Sequence, residues 1–118
     1  MMISTMIYSF GDVLLVPFLS NDQSKPSKRP VIVISSSSCN QRHENLIVIA
    51  VTSNSKATLS PDSLVISDWQ RAGLQGPSLV KPVVKTLPHN SKLKEIGSLL
   101  YKDKQALQKF LTQIIGMC

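Results

Sequence analysis

The sequence predicts a mainly β domain: a small, strongly bent antiparallel sheet or barrel with one short helix and a C-terminal helix packed on it. Three observations lead there. Short apolar runs recur along the chain, each bounded by connections rich in Ser, Asn, Pro or Gly, which is the pattern of buried strands. Aromatics are only 5% of the residues, so the core rests on Val, Ile and Leu, and the β-branched pair among these favours strands. One stripe near the end, Leu107, Phe110, Leu111, Ile114 and Ile115, has the spacing of a helix face.

The chain of 118 residues has the size of one domain, 1–118, with residues 1–6 a lead-in that runs on to Ser9. Gly11 and Asp12 turn into a first strand, Asp12–Phe18, whose continuous apolar run suits burial on both faces. The polar loop Leu19–Lys28 is long for a hairpin, and loops of that length are often functional. A second strand, Pro30–Ser35, follows Arg29, and Pro30 restricts the backbone of the cation before it. Ser35–Ser38 and Cys39–Asn45 read as a polar connection to a third strand, Leu46–Val51, which leaves through the hydroxyl-rich Thr52 and Ser53. Asp62–Ser67 is a short fourth strand. Ser67 then caps a helical turn over 68–72 that Gly73 stops in the left-handed region. The fifth strand, Leu79–Lys85, contains Pro82, which assigns it to an edge or a bulge. Leu93–Leu100 is the last strand, and Asp103 lies in the first turn of the terminal helix, where it complements the dipole.

A formal net charge of +6 favours polyanions or acidic protein partners, although a basic surface without a partner has the same composition. Cys39 and Cys118 form no CxxC or Cys/His spacing, so neither a metal site nor a disulfide framework is expected, and the chain reads as reduced and cytoplasmic. No cofactor motif is present. No apolar run approaches the ~18 residues of a membrane span.

The stretches Gly11–Val16, Ser27–Ser35, Ile49–Ser53, Gly73–Leu74 with Ser78–Lys81, Lys85–Leu87 and Leu93–Leu99, in that order and spacing, resemble the MazF/PemK/Kid family of toxin ribonucleases. The resemblance runs from about residue 7 to 116. It implies an SH3-like barrel with a C-terminal helix, a homodimer, and metal-independent cleavage of single-stranded RNA. It also implies neutralisation by an acidic antitoxin, and DNA binding in complex with that antitoxin. Arg29 matches the family's catalytic arginine and Thr52 its catalytic threonine or serine. Lysine at Lys81 or Lys85 stands where the family often has arginine, which keeps the charge but loses the bidentate fork on phosphate. The family's loop corresponding to Leu19–Lys28 helps select the RNA sequence.

On that resemblance, Arg29 stabilises charge on the reacting phosphate, and Thr52, helped by Ser53, hydrogen-bonds the phosphate or orients the attacking group. Lys28, Lys81 and Lys85 supply affinity for the RNA backbone. His89, beside the Lys85 strand, and His43 are candidate acid–base groups because histidine titrates near neutrality. Each of these residues has a plainer reading: a surface cation at Arg29 and the lysines, a strand residue at Thr52, loop histidines at 43 and 89. Trp69 reads as core in preference to a base-stacking platform. Two further functions share the fold class: a toxin that binds DNA gyrase, and an SH3-like RNA- or protein-binding module without turnover.

Overall fold

The computed structural model describes residues 7–18, 27–54, 62–89 and 93–116. Among these residues, six strands and two helices follow in the order β1 Asp12–Phe18, β2 Ser27–Val33, α1 Ser37–Arg42, β3 Asn45–Ser53, β4 Leu64–Val65, β5 Ser78–Pro88, β6 Lys94–Ser98 and α2 Tyr101–Ile114. The strands form one antiparallel sheet in the order β4-β5-β3-β2-β1-β6. The expected strands are all present, with β2 starting earlier and β4 shorter than the sequence suggested. Among the described residues the sheet is not a closed barrel, because no ladder joins the two outer strands, β4 and β6. The loop over 19–26, between β1 and β2, lies outside the described residues.

Alternation along the strands produces two apolar faces. On one face Val13, Ile32, Ile49, Val51 and Val80 pack with Leu107 and Phe110 of α2, and half-buried Trp69 joins this cluster as a core residue. On the other, Leu14, Val16, Val31, Val33, Leu46 and Val48 form a second cluster.

Prolines sit where pairing ends or slips, as a residue without an N–H must. Pro30 precedes the first β2–β3 pair, Val31 with Ala50. Pro82 falls in a bulge of β5, where the register against β3 slips between Ile49 and Val51. The sequence reading of Pro82 as bulge or edge therefore holds on both counts, since β4 reaches only as far as Val80.

The stretch expected to be an irregular polar connection contains α1. Ser36 caps it by accepting from the Cys39 N–H at 3.1 Å, and Arg42 lies in its last turn. The helix has no apolar stripe, so periodicity gave no sign of it. Its anchor is buried Asn40, whose amide donates to the Tyr8 and Ser35 carbonyls at 2.7 and 3.2 Å.

Asp103 does more than complement a dipole. Its carboxylate is buried, and its two oxygens accept from the backbone N–H groups of Ser67 and Asp68 at 3.0 and 2.9 Å. The cap that the sequence assigned to Ser67 thus comes from α2, across the fold. Asp103→Ala leaves two donors without their charged partner and is expected to cost roughly 2–3 kcal/mol. A lowered denaturation midpoint at unchanged slope checks this, and Asp103→Asn should recover part of the loss through its remaining acceptor.

Gly73 has φ +93, the left-handed stop that the sequence predicted. It also lies against the backbone of β6: a Cβ at Gly73 would overlap the Ile96 carbonyl, and one at Gly97 would overlap the Ala72 carbonyl. The 67–74 turn is therefore held by Asp103 on one side and by β6 on the other. The segment that follows Gly73 comes beside Arg29, Thr52 and Ser53 at the ends of β2 and β3.

Candidate active site

β2 and β3 pair from Val33–Val48 to Val31–Ala50 and part beyond that point. Carrying the antiparallel register two residues outward brings Arg29 opposite Thr52. Both then point to the same face as Val31 and Ala50, because side chains alternate with period two. Pro30 has a fixed φ beside Arg29 and, lacking an N–H, offers β3 no donor where the β2–β3 ladder ends. Arg29 is exposed and Thr52 half-buried, so the guanidinium reaches solvent from an anchored backbone.

Two hollows open on either side of this pair, and Arg29, Pro30, Val51 and Thr52 line both. The first, of about 490 Å³, is completed by Lys28, Ser53, the 73–78 segment, Leu15 and Ile96. The second, of about 520 Å³, has a floor of Val16, Val31 and Val48, with Lys81, Val83, Lys85 and Leu87 along its side. Each volume lies in the range of small-ligand sites. Together they make a trough with a cation and a hydroxyl at its waist.

The structure brings together Arg29, Thr52, Lys28 and Ser53 at the first hollow, and Arg29, Thr52, Lys81 and Lys85 at the second. It leaves His89 elsewhere. The His89 N–H donates to the Glu44 carbonyl at 2.9 Å, next to the Asn45–Pro88 pair. Asn45 and Thr52 are at opposite ends of β3, about 23 Å apart at ~3.3 Å per residue. The His89 ring is buried at Nε2 with no hydrogen-bond partner, and His43 caps the C-terminus of α1 at that same far end. Sequence reasoning placed His89 near Lys85 along the strand but could not see that β5 carries it away from the trough. It also missed the contribution of Leu74–Pro77, which the left-handed stop at Gly73 marks as a turn without showing what the turn faces.

Among the described residues, no three His, Cys, Asp or Glu side chains gather as metal ligands, and no helix is long and apolar enough to cross a membrane.

Residues 9–115 match the model of the PemK-like, MazF-like toxins of type II toxin–antitoxin systems. No curated protein matches the sequence. Among solved structures, the chain is similar to the MazE–MazF complex (form II) of Deinococcus radiodurans, with 16% identity, TM-score 0.72, and coverage of 97% of this chain and 100% of that one. A mycobacterial endoribonuclease in complex with its cognate antitoxin has 15% identity and TM-score 0.73, over 97% of this chain and 98% of that one. The Mycobacterium tuberculosis toxin MazF-mt6 has 20% identity and TM-score 0.70, over 91% and 98%. At these identities the likeness is one of fold.

Proposed function

The chain belongs to the PemK-like, MazF-like toxin family of type II toxin–antitoxin systems, and from that premise we propose that it is a metal-independent endoribonuclease acting on single-stranded RNA. The observation that carries the reading is that Arg29 and Thr52 line both hollows of one basic trough. A phosphodiester lying there meets a permanent cation with several donors on one side and a hydroxyl on the other. The 2′-oxygen attacks phosphorus, the bond to the 5′-oxygen breaks, and the 2′-proton is lost while the 5′-oxygen gains one. The products are a 2′,3′-cyclic phosphate and a 5′-hydroxyl. Arg29 holds the extra negative charge of the phosphorane, and Thr52 positions the phosphate or the attacking hydroxyl. Single strands suit a site with a hollow on each side, since unstacked bases can turn into them.

Of the similar folds described above, one is a MazE–MazF complex and another is an endoribonuclease with its cognate antitoxin. For this chain the apolar floor of the second hollow, ringed by Arg29, Lys81 and Lys85, supports an acidic antitoxin segment that covers the same trough. Exposed Val83 and Val84 on β5 support self-association into a homodimer.

Incubating the purified protein with a long single-stranded RNA in EDTA, then mapping and chemically typing the ends, tests the reading. Discrete cuts with 5′-hydroxyl ends are expected. RNA that is retained but uncut would make the protein a binding module, and RNA neither bound nor cut would favour a gyrase-directed toxin of the same fold.

A further inference from the structure

We propose that the first hollow, between Arg29 and the 73–78 segment, is a base-binding subsite, and that Gln75 reads the edge of the base held in it. The inference rests on the endoribonuclease reading and adds a specificity determinant to it.

The segment carrying Gln75 is fixed at both ends. Leu74 is buried in the core cluster, and its N–H donates to the Trp69 carbonyl at 3.0 Å. Beyond Gln75, buried Ser78 donates through Oγ to the Gly76 carbonyl at 2.8 Å, and the Asn54 N–H donates to the Pro77 carbonyl at 2.9 Å. Gly73 is pressed against β6. The backbone under Gln75 is therefore held in place, while its own side chain is exposed on the lining of the hollow that Arg29 and Thr52 share. The Gly76 and Pro77 carbonyls are already engaged, which leaves the Gln75 amide as the polar side chain this segment offers to a ligand.

The two hollows differ in what they can tell apart. The second has an apolar floor and flanking lysines, which grip a base face and phosphates whatever the sequence. The first has a carboxamide, with a donor and an acceptor side by side, matched to the edge of an unstacked base. A bidentate pair of this kind separates right from wrong base by on the order of tenfold to a hundredfold. Sequence choice next to the cut is therefore concentrated on the Gln75 side of the reacting phosphate.

The test maps cleavage ends on one long RNA for the parent protein, Gln75→Ala and Gln75→Glu. The parent should show a base preference at a position adjoining the cut. Gln75→Ala should flatten the preference at that position by on the order of tenfold to a hundredfold and leave the other positions as they were. Gln75→Glu keeps an acceptor and loses the donor, so it should change which base is favoured there. Identical end maps from all three proteins would overturn the subsite while leaving RNA cleavage intact. Loss of all cutting in a folded Gln75→Ala would also overturn it, by making the residue part of the reaction itself. A parent that makes no cuts would overturn the endoribonuclease reading instead.

Discussion

Arg29→Ala is expected to lower RNA cleavage about a hundredfold to a thousandfold while the melting temperature stays near that of the parent. The rate loss follows from the kind of work assigned to the guanidinium. A donor fixed in advance where charge develops contributes roughly 3–4 kcal/mol to the barrier, far more than one that must be ordered during the reaction. The backbone that carries the guanidinium is held by its pairing with Val16 and by Pro30 after it. Stability should hardly change because the side chain is exposed and belongs to neither apolar cluster. Arg29→Lys separates charge from geometry: it keeps the cation but loses the fork, so it should recover only part of the rate. Initial rates on a single-cut RNA, with a thermal melt of each variant, check the pair. An Arg29→Ala protein that cuts at the parent rate would remove the basis of the proposed mechanism.

Gly97→Ala should be a severely damaging small substitution for folding, at roughly 3 kcal/mol or more. A Cβ built there overlaps the Ala72 carbonyl oxygen and lies 2.6 Å from the carbonyl carbon. Neither atom belongs to a flexible side chain that could swing aside, so β6 and the 67–74 turn must move apart. Set against the ~5–15 kcal/mol that hold a typical domain together, this is a large share, and a fall in melting temperature of roughly 10 °C or more is expected. Gly76→Ala is the contrast, because nothing lies within 4 Å of a Cβ at that position, and its melt should match the parent's. Because Gly73 and Leu74 line the first hollow, any surviving Gly97→Ala protein should also show altered cleavage. Equal melts for the two glycine variants would show that the backbone contact carries no weight.

Much of this was legible in the sequence wherever local chemistry decides the outcome. Asp12–Phe18 was read with the bounds it has in the structure, because a turn glycine precedes a continuous apolar run. Arg29 and Thr52 were legible as residues at the mouths of two apolar runs, and in the structure both line the same two hollows. What stayed hidden depends on partners far along the chain. Asp103 could be recognised as a first-turn acid, but its true bonds are to Ser67 and Asp68, some 35 residues earlier. Gly97 is an ordinary strand glycine until the 67–74 turn is folded against it. The α1 helix is held by a single buried amide and not by an apolar stripe, and a single asparagine leaves no period to detect. Gln75 sits in a turn whose direction only the folded sheet defines.

β5 outruns its neighbour. Past Val80 it has no partner on the β4 side among the described residues, and an uncovered row of backbone donors and acceptors is a template for fibre growth. Pro82 breaks that row, since it has no N–H to offer a further strand. The proline that marks the bulge thus also interrupts an edge that would otherwise template a further strand.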